Sequence, residues 1–223
     1  MCMRLPPTEV VDQTTSTNDL MATRWRRGEA SLYDSVRARY QTHGHGRFGR
    51  TWNAPYDTAL LYSAIVSTSQ TPSRLPLAAG IAVIEALESD GLSLKWPNDV
   101  FLHGKKLCGV LAEHIEQQGN THILVLGIGV NLTACPPGAE KLDRDADVLA
   151  ERITASLPHL DQLFVRYADY LQSVGKSVRA IKPDGETIHG TATGITEEGA
   201  LVIDTSAGIT TVTAGDVTLK ETL

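Results

Sequence analysis

Apolar residues nowhere run to the roughly 20 consecutive positions that a membrane span needs, and the opening MCMRLPPTEV lacks the apolar core of a signal peptide. A cytoplasmic protein is therefore expected, with no membrane partner. Cysteine is scarce. Cys2, Cys108 and Cys135 form no CxxC pair and are odd in number, which argues against a disulfide framework or a zinc site and predicts free thiols. Basic excess is also missing: 20 Lys and Arg stand against 26 Asp and Glu, a net charge of −6. Nucleic acid is not expected as a partner, because a duplex-binding chain shows a basic footprint. The seven histidines, His43, His45, His103 and His114 among them, belong to no compact Cys/His/Asp cluster, so no transition-metal site is expected.

What is present is a globular composition, 42% hydrophobic and 21% charged over 223 residues. That length holds one large domain, or a domain with a small appendage. Val10 and Val11 mark a short strand, and the next segment is helical, with Ser16 and Asp19 in a capping arrangement and Gly28 at its end. SVRARYQ alternates as a half-buried strand leading to Gln41, and Ala59–Val66 is an apolar strand. Leu77–Leu87, entered through Pro76, is a buried helix. Leu92–Trp96 is a strand, Val100–Leu102 and Leu107–Ile115 are arms of a hairpin closed by HGKK, and Thr121–Leu132 is a long apolar strand. Strands following one another without helices predict a mixed or antiparallel sheet, not a doubly wound parallel one. Asp145–Val174 reads as helical, divided at Pro158. Beyond Gly175, five short strands separated by PDGE, TEEG, SAG and AGD describe a small antiparallel barrel. The predicted boundary lies near Lys176, giving domains 1–175 and 176–223.

The stretch QTHGHGRFGRTW contains Gly44-x-Gly46-x-x-Gly49, the spacing of a dinucleotide-binding turn. That motif needs a helix directly after the glycines and an acid about 20 residues later. Here Pro55 disfavours a helix, the chain enters the Ala59 strand, and no acid occurs from Thr58 to Gln70. The dinucleotide reading fails. The glycines instead permit close approach to a ligand, Arg47 and Arg50 offer forks for carboxylate or phosphate, and Trp52 can stack on a base. A second constellation, Lys95-Trp96-Pro97-Asn98-Asp99, puts a cation, an amide and a carboxylate at a strand end. Asp99 among lysines suits Mg²⁺ on phosphates, or simply caps a turn. Lys105 and Lys106 point to opposite sides of a strand, so one of them at most faces a site.

Together these segments resemble the biotin protein ligases. The resemblance rests on STN at Ser16–Asn18, the Gln41–Trp52 loop, KWPND, GKKLCGVLAE at Gly104–Glu113 and GIGVNL at Gly127–Leu132, in order over about the first 135 residues. It implies an α/β (α+β) catalytic domain similar to class II aminoacyl-tRNA synthetases, followed by an SH3-like barrel. It also implies a reaction in which ATP, biotin and Mg²⁺ give biotinyl-5′-adenylate and the biotinyl group passes to a lysine of a biotin carboxyl carrier domain.

By the same resemblance, Lys106 and Arg47 are catalytic. The biotin pocket takes in Ser16, Thr17, Asn18, Gln41, Gly44, His45, Gly46, Gly109 and Gly127, with Arg47 and Lys106. ATP falls to Arg47, Arg50, Trp52, Lys95, Asn98, Asp99, Lys106 and Asn131, and Mg²⁺ to Asp99. The glycine loop is expected to order over the adenylate. His45 stands where the family has an arginine, which lowers the expected grip on an anion. About 15 residues precede Ser16, so the helix-turn-helix of some relatives, and operator binding with it, is not expected. A homodimer through an edge strand is compatible with the pattern. The rival readings are a lipoate or octanoyl ligase, a catalytically weak biotin sensor, and an interaction module on an inactive fold.

Overall fold

The computed structural model describes residues 5–219; Cys2 lies outside them, while Cys108 and Cys135 are unpaired. Strand β1 (Glu9–Thr14) leads through helix α1 (Thr17–Arg26) to β2 (Ser35–Gln41), and the crossover makes β1 and β2 parallel. Ser16 caps α1, accepting from the Asp19 N–H at 3.5 Å. Arg24 and Arg26 occupy the last turn, where cations suit the helix dipole. Strand β3 (Ala59–Thr68) and helix α2 (Arg74–Leu87) follow. Pro76 falls among the first α2 residues, whose N–H groups have no intrahelical partner.

Next come β4 (Leu92–Lys95), β5 (Asp99–Leu102), β6 (Lys105–Gln118) and β7 (Thr121–Asn131). His103 and Gly104, both at positive φ, form the two-residue turn between β5 and β6, the geometry that matches strand twist. The seven-stranded sheet runs β1-β2-β3-β7-β6-β5-β4, antiparallel except for the first pair. It is the mixed sheet that the run of strands implied.

One face of this sheet, with Leu60, Tyr62, Val110 and Leu126, packs in a single cluster with Ala79 and Val83 of α2 and Ile153 of helix α3 (Ala146–Ser156). The other face has two separate covers. Met21 of α1 lies over Val36, Ile65 and Val125, while Trp52 and Ala54 lie over Ala38, Ala59 and Leu61. Between them Gly109, Gly127 and Gly129 present no side chains, and an open cleft results.

Two expectations change. The alternation of β2 predicts water beside Arg37, yet Arg37 is 4% exposed and paired with Asp147 at the start of α3 and with Asp57. The Arg37 hydrogen bond holds the Asp147 carboxyl below its ordinary range. The second half of the helical stretch is short pieces, with α4 (Leu160–Leu163) and α5 (Tyr167–Tyr170) joined by 3-10 turns. It ends where Leu171 bridges to Leu94 beside the β4 edge.

The last strands are β8 (Ser177–Ile181), β9 (Thr187–Ile195), β10 (Leu201–Thr205), β11 (Gly208–Val212) and β12 (Asp216–Leu219), an antiparallel sheet ordered β11-β10-β9-β8-β12. Its apolar face, with Val178, Ala180, Leu201 and Ile203, belongs to the same cluster as α2. Trp96 is 2% exposed and donates its indole N–H to the Gly199 carbonyl at 2.9 Å. The core therefore continues past Lys176, and it sets Asp216 beside the glycine loop.

Candidate active site

The cleft encloses about 300 Å³ between α1, the glycine loop and the start of β12. At its α1 end, Ser16, Thr17 and Asn18 are all buried. The Thr17 amide donates to Gln41 Oε1 at 2.7 Å, and the Thr17 hydroxyl lies 3.0 Å from the same oxygen. Asn18 donates through Nδ2 to Glu113 Oε2 at 2.6 Å. Ser63 of β3, fully buried, joins the two: its Oγ is 2.7 Å from Thr17 Oγ1 and 2.6 Å from Asn18 Oδ1. Sequence reading missed Ser63, although a hydroxyl inside the apolar run ALLYSAIV was a signal, because a buried polar group needs partners. Ser16 both caps the helix and lines the cleft.

The glycine loop is a tight hairpin. Trp52 N–H donates to Gly44 O at 2.9 Å and Gly46 N–H to Arg50 O at 2.6 Å. A Cβ on Gly44 would stand 2.4 Å from the Trp52 carbonyl oxygen, so the closing of this hairpin requires glycine there. Phe48 and Gly49, at φ 55° and 73°, form the tip. Only a short 3-10 turn, Arg47–Gly49, occurs in the loop; no helix offers its amides to a pyrophosphate.

Arg47 turns inward, with Nη1 donating to Asn98 Oδ1 at 3.2 Å and Gly215 O at 3.5 Å. Both acceptors are neutral. Burial pushes the Arg47 guanidinium below its ordinary value, opposed by the charges of Asp216 and Asp99. Asn98 is itself fixed, because its Nδ2 donates to Val110 O at 2.7 Å. Arg50 pairs with Asp216 of β12, and His45 Nε2 lies 2.9 Å from Asp19 Oδ2 on α1.

Lys106 reaches the cleft by a β-bulge. In a regular strand Lys106 and Gly109, three apart, would face opposite sides. The register shift between β5 and β6 pairs Phe101 with Lys106 but Val100 with Cys108, and the extra residue brings both to one face. Lys106 Nζ lies 2.7 Å from Asp99 Oδ1, an ion contact that misses hydrogen-bond alignment and leaves this buried oxygen without a hydrogen-bond partner among the described residues. It also lies 5.8 Å from the Trp52 ring. Lys105 is off the cleft, 3.8 Å from Glu140. Trp52 rests over Gly109 and Gly129, and its indole N–H is buried without a partner among the described residues.

Two expected site residues lie off the cleft wall. Gly44 sits behind the loop, and Asn131 donates to the Glu140 carbonyl at 3.0 Å. The remaining expected residues meet there, with Asp216 added. Four basic side chains, Arg47, Arg50, Lys95 and Lys106, face two carboxylates, Asp99 and Asp216. In a chain of net charge −6 this local positive excess favours a polyanionic ligand. Asp216→Ala should free the loop modestly. The Arg50–Asp216 pair is solvent-exposed, and such pairs contribute about 0–1 kcal/mol, so tryptic cleavage within the loop should quicken about two- to fivefold. Digestion timed by mass spectrometry checks this, and an unchanged rate would mean the pair does not hold the loop.

Comparison with known proteins accounts for this arrangement. Residues 10–131 match the biotin/lipoate A/B protein ligase family, and residues 174–220 match the biotin protein ligase C terminal domain. The chain is 34% identical to the biotin–[acetyl-CoA-carboxylase] ligase of Mycobacterium tuberculosis, over 94% of this chain and 87% of that protein. It is 31% identical to the enzyme of the same name from Paracoccus denitrificans, over 82% and 88%. Its fold is similar to that of the Aquifex aeolicus biotin protein ligase in complex with biotin and ATP, with a TM-score of 0.73 and 26% identity across 97% of this chain and 99% of that one. The fold is thus the class II synthetase-like type that the motifs implied. With its fold, cleft and sequence in agreement, the chain belongs to the biotin protein ligase family.

Proposed function

We propose that this ligase acts in two steps. A carboxylate oxygen of biotin attacks the α-phosphorus of ATP and pyrophosphate leaves; then the amine of one lysine on a biotin carboxyl carrier domain attacks the acyl carbon of biotinyl-5′-adenylate, and AMP leaves. The observation that carries this reading is Arg47, a half-buried cation whose hydrogen-bond partners among the described residues are neutral, aimed into a cleft with Lys106 and floored by glycines. A half-buried charge whose hydrogen bonds go to neutral acceptors, with Asp216 and Asp99 compensating it only through space, is costly, and an anionic ligand lowers that cost.

Lys106 would bridge the biotin carboxylate and the α-phosphate, Arg47 would cover the adenylate, and Arg50 and Lys95 would meet the outer phosphates. Trp52 offers a ring for adenine beside Asn98. Thr17, Asn18 and Gln41 supply the donors and acceptors that a ureido ring requires, with Ser16, His45 and Gly46 around them. Gly109 and Gly127 admit the bicyclic ring against the sheet. Asp99, whose buried Oδ1 stands 2.7 Å from the Lys106 ammonium, would hold Mg²⁺ carried on the phosphates once Lys106 turns to the ligand, and the ion would neutralise phosphate charge there. Asn131, held by the Glu140 carbonyl, supports the strand end and not the base. ATP as substrate suits a cytoplasmic setting.

The test is to incubate the chain with biotin, ATP, Mg²⁺ and a carrier domain and weigh the carrier. A gain of one biotinyl group on its target lysine is expected. A gain of a lipoyl or octanoyl group in parallel assays, with none from biotin, would move the substrate class. Tight biotin binding without adenylate would make the chain a sensor.

A further inference from the structure

Three titratable groups on the cleft wall can accept a proton at neutral pH: Asp99, Asp216 and His45. The two carboxylates are engaged, Asp99 with the Lys106 ammonium and Asp216 with the Arg50 guanidinium. His45 differs. Its Nε2 lies 2.9 Å from Asp19 Oδ2, and an ionised carboxylate only accepts, so the neutral ring carries its proton on Nε2 and keeps a lone pair on Nδ1. Nδ1 points away from Asp19 and has no hydrogen-bond partner among the described residues. The loop fixes where this lone pair stands. His45 pairs with Thr51 across the glycine hairpin, between Gln41 at the proposed biotin end and Arg47 at the adenylate end, and its side chain is 42% exposed. The glycine floor closes the far side of the cleft, so a lysine carried on another protein has to enter from the exposed side, where His45 is. An arginine, which the family has at this position, stays protonated and could not serve as a proton acceptor.

We propose that His45 is the general base of biotinyl transfer and that Asp19 is its positioning residue. The proposal rests on the two-step reading and adds to its second step. The carrier lysine, an ammonium at neutral pH, first gives one proton to water. Its amine then attacks the acyl carbon: a C–N bond forms, the C–O bond to the phosphate breaks, and AMP leaves with that electron pair. The second proton, still on the attacking nitrogen, passes to His45 Nδ1, and Asp19 holds the imidazolium that results. Besides the carboxylates, the charged groups that share the cleft with this ring are Arg47 and Arg50 of its own loop, Lys95 of β4 and Lys106 of β6. Among the described residues, Asp19 is the charged group in contact with it.

The experiment gives preformed, enzyme-bound biotinyl-adenylate to two acceptors in single-turnover assays. One is the carrier domain; the other is hydroxylamine, a weakly basic amine whose nitrogen, once bonded, loses its proton to water unaided. His45→Gln keeps a hydrogen bond to Asp19 but cannot take up a proton. In that variant the ratio of carrier transfer to hydroxylamine capture should fall about 100-fold near neutral pH, and in Asp19→Asn about tenfold. The pH profile separates a base from a strap. The advantage of the wild-type chain over His45→Gln should disappear as pH falls from about 8 to about 5 and the imidazole gains its proton. An ion pair that merely held the loop would strengthen over the same range, and the advantage would grow. An unchanged ratio in His45→Gln, or an advantage that grows toward acid, would overturn the proposal. A wild-type chain that formed no adenylate from biotin and ATP would overturn the two-step reading itself.

Discussion

Lys106→Ala should lower the rate of biotinyl-adenylate formation by about 10³-fold while the protein stays folded. The first chemical step sets two anions, a carboxylate and a phosphate, against each other, and their repulsion has to be met by fixed positive charge in a site from which water is excluded. The bulge at Leu107 holds the Lys106 ammonium on the same face as the glycine floor, beside Trp52 and 2.7 Å from Asp99. The Lys106 side chain is 40% exposed but that of Asp99 only 19%, so the loss of this ammonium, which leaves that carboxylate uncompensated, should cost folding about 1–3 kcal/mol. Lys106→Arg should recover little, because a planar fork is a poor substitute for a compact ammonium between two oxyanions. Lys105→Ala, one residue away and on the other face, should change the rate less than twofold. Isotope exchange between pyrophosphate and ATP measures the step. A loss below tenfold in Lys106→Ala would remove this lysine from the chemistry.

The sequence made much of this readable, for local reasons. β3, α2, the β5–β6 hairpin and β7 each follow from side-chain period and turn residues. Rejection of the dinucleotide turn followed from Pro55 and the strand after it. What the sequence hid depends on partners far along the chain. Arg37 is buried because Asp147, 110 residues on, reaches it from α3. Ser63 lies 45 residues from Asn18, and Glu113 lies 95. Asp216 closes on Arg50 across 166. None of these contacts leaves a local pattern, and neither does the bulge that turns Lys106 into the cleft. The carboxylates Glu113 and Asp216 read in sequence as ordinary surface charge. The resemblance to a family supplied most of the cleft residues but not the groups that hold them in place.

The glycine floor offers the most direct separation of the two substrates. Gly127→Ala should raise the KM for biotin about 100-fold and leave the KM for ATP nearly unchanged. A Cβ there would stand 2.3 Å from Asn18 Oδ1 and 2.9 Å from its carbonyl carbon, closer than atoms can pack. Asn18 is short and tied at both ends, to Ser63 and to Glu113, so it cannot give way without breaking two hydrogen bonds. At about 1–1.5 kcal/mol each, that loss matches a 100-fold weaker site. Gly129 lies two residues on and on the same face, but its Cβ would meet the Trp52 indole at 2.5 Å. Gly129→Ala should therefore displace Trp52 and act on ATP instead. Steady-state KM values for both substrates in both variants give a crossed pattern if the cleft is divided as proposed. If both substitutions raised both constants equally, the α1 end and the Trp52 end would not be separate subsites, and the division of the cleft between a ureido ring and a base would have to be abandoned.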